Sequence, residues 1–119
     1  RSTTVHMVFE SKDDSLWLGT EHGLARYDGV ETTRVTEDGL AAKKITCGLE
    51  DRAGVLWFGS VMGVVRWDDG LVTELTSDDG LARGANRAIH QDSDGVLWFG
   101  SYGGGLTRYD QGRMTTITT

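Results

Sequence analysis

The sequence predicts an all-β chain made of three tandem four-stranded antiparallel units, and three observations carry that expectation. Ser15-Leu16-Trp17-Leu18-Gly19-Thr20, Val55-Leu56-Trp57-Phe58-Gly59-Ser60 and Val96-Leu97-Trp98-Phe99-Gly100-Ser101 repeat one motif, with the tryptophans 40 and 41 residues apart. Apolar residues alternate with a period of two, as in Val5-Met7-Phe9 and Ile45-Cys47-Leu49, and no stripe recurs at helical spacing. Glycine is 17 of 119 residues and proline is absent, so the turns between runs depend on glycine, aspartate and serine.

Each unit holds four short runs. The first covers about 5–10, 44–50 and 86–91; the second 16–20, 55–60 and 96–101; the third 23–27, 63–67 and 105–109; the fourth 31–36, 71–76 and 113–118. An acidic turn precedes the second run each time, at Ser11 to Ser15, Asp51 to Gly54 and Asp92 to Gly95. The third run repeats as Gly23-Leu24-Ala25-Arg26-Tyr27-Asp28, Gly63-Val64-Val65-Arg66-Trp67-Asp68 and Gly105-Leu106-Thr107-Arg108-Tyr109-Asp110. Connections this short force antiparallel neighbours, so each unit is a meander. The units are expected at about 1–41, 42–82 and 83–119, within a chain short enough for one domain. A meander cannot cover both of its own faces, so an array with this period is expected to stack face to face as β-propeller blades. Trp17, Trp57 and Trp98, with Tyr27, Trp67 and Tyr109 on the third run, are the expected inter-blade packing.

The Asp-Gly-x-Leu-Trp-Phe-Gly-Ser run, the Gly-Leu-x-Arg-Tyr-Asp step and the closing Asp38-Gly39-Leu40 and Asp79-Gly80-Leu81 resemble the two-component regulator propeller repeats of extracytoplasmic sensor regions in bacterial hybrid histidine kinases. The first unit departs from the pattern, with Asp13-Asp14-Ser15 where Asp-x-Gly is usual. The resemblance implies a non-enzymatic, periplasmic sensor propeller for carbohydrate-type ligands. It extends to antibiotic lyases built on a seven-bladed ring, which would make the chain part of an enzyme. Scaffold repeats ending in Trp-Asp match only Trp67-Asp68, and no Gly-His dipeptide precedes any unit.

Closed propellers take about four to eight blades. Three blades leave two apolar ends, so the expectation is closure by further copies of the chain, head to tail. A six-bladed dimer is favoured over a nine-bladed trimer because six lies within the usual range. The chain begins at Arg1, which reads as a segment of something longer or a processed product, and a designed ring without a ligand is a further reading.

Composition removes several classes of function. A net charge of −6 lacks the cation excess that phosphate backbones demand, so nucleic acid is not an expected partner. No apolar run approaches the ~20 residues of a membrane span. Cys47 alone forms no intrachain disulfide. His6, His22 and His90 fall at different places in their units, so neither a metal nor any other cofactor is expected. Asp92-x-Asp94-Gly95 opens like a calcium loop, but its twelfth position is Gly103, and it reads as a hairpin turn. Ser60 and Ser101 sit at a position that Thr20 also fills, so they do not read as nucleophiles.

Charge placement points to the candidate site. Turns between first and second and between third and fourth runs share one end of the blades, which collects Asp13, Asp14, Asp28, Asp51, Asp68, Asp69, Asp92, Asp94 and Asp110. The opposite end carries the loops that vary between units, with His22, Met62 and Tyr102, and the connections bearing Lys43, Lys44 and Arg83. Variable loops on a rigid scaffold are the expected place for a ligand. The first run should line the axis, where counting eleven back from each tryptophan gives His6, Thr46 and Arg87. An imidazole and a guanidinium there suit a small polar or anionic ligand.

Overall fold

A computed structural model of the chain describes residues 4–35 and 44–117. Its strands form three four-stranded antiparallel sheets, each in sequence order. The first sheet holds β1 (Val5–Glu10), β2 (Leu16–Thr20), β3 (Gly23–Tyr27) and β4 (Thr32–Val35). The second holds β5 (Ile45–Glu50), β6 (Leu56–Ser60), β7 (Val64–Asp68) and β8 (Leu71–Leu75). The third holds β9 (Asn86–Gln91), β10 (Leu97–Ser101), β11 (Gly105–Asp110) and β12 (Arg113–Ile117). First strands of successive sheets are neighbours, β1 against β5 and β5 against β9, which is the inner side of a propeller arc. No helix among the described residues is long and apolar enough to cross a membrane.

Strand ends shift from the expected ones where turns claim backbone donors. β6 and β10 start one residue late because the amides of Val55 and Val96 donate to Asp51 Oδ1 and Asp92 Oδ1, each at 3.0 Å. β7 starts after Gly63, whose N–H donates to Ser60 Oγ at 3.1 Å. The turns into β8 and β12 place Asp69-Gly70 and Gln111-Gly112 at positive φ (50° and 89°, 52° and 87°), the two-residue hairpin that matches strand twist.

Two features were not foreseen. Ser77–Asp79 forms a turn of 3₁₀ helix, capped by Thr76, whose hydroxyl accepts from Asp78 N while Asp79 accepts from Thr76 N. It ends at Gly80 with φ 108°, which turns Leu81 into the core and lets Ala82 N donate to Thr107 Oγ1 at 2.9 Å. The corresponding run at 37–41, and the blade boundary drawn there, lie outside the described residues. The second feature is a bulge in every first strand. Register slips between Val5 and Met7 and between Ile45 and Cys47, and Gly100 and Ser101 pair with Ala88 and Asn86. The extra residues are His6, Thr46 and Arg87, and a bulge re-aims the side chain it carries.

The core lies between sheets. One cluster joins Trp17, Leu24 and Val35 of the first sheet to Ile45, Leu56, Phe58 and Val65 of the second. The other joins Val55, Trp57 and Val64 of the second to Leu97 and Phe99 of the third, with Leu81 between them. Each seam pairs a tryptophan with two rings of the next sheet: Trp17 with Phe58 and Trp67, both at 5.7 Å, and Trp57 with Phe99 at 5.7 Å and Tyr109 at 5.2 Å. Such pairs contribute about 0.5–1.5 kcal/mol each beyond area burial. Trp98 holds the position of Trp17 and Trp57 in the third sheet but is only half-buried, while Tyr27 is half-buried like its counterparts Trp67 and Tyr109.

Candidate ligand-binding face

The loops between second and third strands share one hydrogen-bonded plan. Thr20 Oγ1 donates to Gly23 O at 2.9 Å, Ser60 Oγ to Gly63 O at 3.1 Å and Ser101 Oγ to Gly105 O at 3.1 Å. These hydroxyls close their own hairpins, which explains why the position recurs. The tips they carry differ: Glu21-His22, Val61-Met62 and Tyr102-Gly103-Gly104.

The third loop is clamped onto the connection that enters its sheet. Tyr102 N donates to Ala85 O at 2.8 Å, and Ser101 Oγ also reaches Arg83 O at 2.9 Å. Glycine is required on both sides: a Cβ on Gly104 would lie 1.6 Å from Arg83 O, and one on Gly84 would lie 2.2 Å from Tyr102 O. The clamp holds three expected site residues on one patch. Tyr102 is 74% exposed, the Arg87 guanidinium stacks over its ring at 5.3 Å, and Arg83 stands exposed on the facing segment.

The remaining expected residues are spread over the same end. His22 is exposed, with its carbonyl accepting from Arg34 at 3.1 Å, and Met62 is 71% exposed. His6 Nε2 lies 3.5 Å from Glu21 Oε1, and Lys44 is half-buried. Lys43 lies outside the described residues. Thr46 is committed to packing between sheets, donating to Asn86 O and lying 3.3 Å from Gly59 O. The three bulge residues therefore diverge: Thr46 ties a seam, His6 meets a carboxylate, and Arg87 meets an exposed ring.

Asn86, beside Arg87, was not anticipated. It is buried, its Nδ2 donates to Gly63 O at 3.1 Å, and its Oδ1 is a buried acceptor with no partner among the described residues. A polar residue where the other units place Val5 and Ile45 was the available signal. Cys47 is held up in pKa by burial, so its thiol is protonated at neutral pH.

The other end of the blades is acidic and pinned to its own backbone. Asp51 accepts from Ala53 N at 2.9 Å and, through Oδ2, from Trp57 Nε1 at 2.8 Å. Asp92 repeats this with Asp94 N at 2.9 Å and Trp98 Nε1 at 2.9 Å, and the tryptophan bond leads the effects that lower its pKa. Asp28 is lowered by the amides of Glu31 and Val30. The turns of the first two sheets border a groove of about 600 Å³ lined by Lys12, Asp13, Arg26, Asp68 and Asp69. Among the described residues no group of three His, Cys, Asp or Glu side chains converges as a metal ion would need.

Residues 80–103, from the capping glycine to the clamped loop, match the two-component regulator propeller family. The fold matches the extracellular domain of the hybrid two-component system BT3049 from B. thetaiotaomicron with a TM-score of 0.83 at 24% identity, over 97% of this chain and 17% of that one. It also matches a catalytically inactive variant of virginiamycin B lyase from Staphylococcus aureus with quinupristin, TM-score 0.77 at 19% identity, over 98% of this chain and 42% of that one. A third match is the extracellular domain of the one-component system BT4673 from B. thetaiotaomicron, TM-score 0.54 at 19% identity, over 97% of this chain and 22% of that one. The chain thus spans less than half the length of each of these relatives. No curated protein sequence matches it.

Proposed function

We propose that the chain is a non-enzymatic propeller module of an extracytoplasmic sensor, working within a closed ring and recognising a small polar or anionic carbohydrate-type ligand. The observation that carries this reading is the Arg87–Tyr102 stack on a glycine-clamped loop, with Arg83 beside it. An exposed aromatic ring offers a face for the C–H groups of a sugar, and two guanidiniums offer bidentate donors to a carboxylate or sulfate. The scaffold is rigid where the site needs it, because Gly84 and Gly104 let two backbones touch. The family match at residues 80–103 supports the sensor context, since it covers this connection and loop.

The test is titration calorimetry with uronate, sulfate and phosphate. Uronate is expected to bind, and Arg87→Ala to weaken it about tenfold, the loss of one charge-assisted hydrogen bond of roughly 1.5 kcal/mol. Tyr102→Ala should weaken uronate but leave inorganic anions unchanged. Absence of binding to all three, or affinities unmoved by Arg87→Ala, would remove the proposal.

A further inference from the structure

We infer that the second and third loops form one preassembled site and that buried Asn86 is its positioning residue. The Asn86 amide ties the Val61-Met62 tip to the strand that carries Arg87, so that Met62 gives the arginine patch an apolar wall. The inference rests on the reading of that patch as a ligand site and deepens it: the ligand is an anion with an apolar substituent, such as an aryl glycoside of a uronic acid.

The amide reaches from the third sheet to the second. Asn86 is 1% exposed, and its Nδ2 donates to Gly63 O at 3.1 Å and lies 3.5 Å from Ser60 O. Both neighbours are acceptors, so turning the amide over would set Oδ1 against two carbonyls, which fixes its orientation. Gly63 follows Met62 and Arg87 follows Asn86, so an exposed thioether and an exposed guanidinium each stand one residue from this bond. The main chain beside it is held from two further sides. Asn86 O accepts from Thr46 Oγ1 in β5, and Ala85 O accepts from Tyr102 N at 2.8 Å. One segment thus fastens both loops.

The fold does not ask for a polar group at this position. Val5 and Ile45 hold the same place in register, opposite Thr20 and Ser60, as Asn86 does opposite Ser101. Ile45 is buried in the core between the first two sheets and has no side-chain donor, so it offers the Glu21-His22 loop no such tie. Asn86 brings instead a buried Oδ1 with no partner among the described residues. A buried acceptor without a donor lowers stability. Packing alone therefore favours an apolar side chain, and what asparagine adds is the bond to the second loop.

That loop belongs to the middle sheet, which has a sheet on either side, yet Val61 is 39% and Met62 71% exposed. With Tyr102 at 74% on the next loop, two large apolar groups accompany the exposed Arg83 and Arg87. A ligand with a carboxylate alone leaves Met62 in water. One with a ring beside the carboxylate covers it, and a thioether adapts to such a ring and contacts it favourably. A tip already fastened to the arginine strand makes that contact without a loop having to be ordered on binding. His22, on a loop without this tie, stands outside the site.

The experiment compares phenyl glucuronide with glucuronate by calorimetry on the 119-residue chain, and follows the loop by NMR relaxation without ligand. The phenyl glycoside should bind about tenfold more tightly, the effect of covering one methionine side chain. Met62→Ala and Asn86→Val should each abolish that preference and leave glucuronate bound. Asn86→Val should also increase the backbone motion of Val61 and Met62 without lowering the urea midpoint, whereas loss of a merely structural asparagine would lower the midpoint and leave the loop as it was. Unchanged loop motion in Asn86→Val, or a preference that survives Met62→Ala, overturns the inference. Glucuronate binding with no gain from the phenyl group overturns it too, while the patch itself stands. If neither compound binds, the patch and the ligand class fall together, and the loop motions still decide the role of Asn86.

Discussion

The turn entering the second strand is built one way in the second and third sheets and another way in the first. Asp51 and Asp92 stand at the first position of their turns, and each spans the loop with one oxygen on two amides and the other on the tryptophan indole. The first sheet has Ser11 there, and its hydroxyl accepts from Trp17 Nε1 at 3.2 Å while donating to Asp13. Asp13 in turn accepts from Ser15 N at 3.0 Å and pairs with Arg26. The carboxylate has moved two residues along the chain and works through a serine relay, yet the backbone closes alike: Asp14 N to Ser11 O at 2.9 Å, Gly54 N to Asp51 O and Gly95 N to Asp92 O at 3.0 Å. What the fold requires is an acceptor for a buried indole N–H and for the loop amides, and more than one side-chain arrangement supplies it.

The comparison is broken most severely at the compact form. Asp51→Ala leaves a buried indole donor and two loop amides without their acceptor, and should lower unfolding free energy by about 3 kcal/mol. Ser11→Ala, which leaves Asp13 on its amide, should lower it by only about 1 kcal/mol. Urea unfolding of the two variants measures both, and equal losses would refute the difference between the turns.

Acid sharpens it next. Hydrogen bonds from Ser11 to Asp13 and from Trp98 to Asp92 hold both carboxyls below 3.8 in the folded chain. A depressed folded pKa contributes stability that is fully present above the unfolded value and lost as pH falls through the folded one. Thermal midpoints should therefore be flat with respect to these groups near neutrality and fall once pH drops below about 4. Asp13→Asn should flatten part of that fall; an unaltered profile would contradict the relay.

The smallest effect concerns conformation. Asp14 has φ 69° where Gly54 and Gly95 have 88° and 85°, so a residue with a Cβ occupies a left-handed position. Asp14→Gly removes that strain but frees the unfolded chain, and the net gain should be a few tenths of a kcal/mol in urea unfolding. A loss of stability would show that the Asp14 side chain has a role of its own.

Much of the architecture was legible from residues alone. The strands begin and end within a residue or two of the apolar runs, because alternation and glycine turns are local signals. Trp17 and Trp57 stand in the seams that a repeat of this length implies. The candidate site is legible only as a face: Tyr102 lies in a loop that varies between units and Arg87 stands eleven residues before Trp98, but the bulge that carries Arg87 has no local signature. Asn86, buried with an oxygen that has no partner among the described residues, is not legible in the sequence, because a polar residue at one apolar repeat position carries no local sign that it is buried.

Local chemistry therefore determined the strands, their antiparallel order and the four-by-three count, since a period of two and a tight turn leave a short chain few alternatives. Packing between sheets decided the rest. A bulge is set by how two first strands meet, a glycine clamp by how near two backbones come, and the exposure of Trp98 against the burial of its two counterparts by whether another sheet lies beside it. Those are distances between residues far apart in the chain, and no local pattern of side chains contains them.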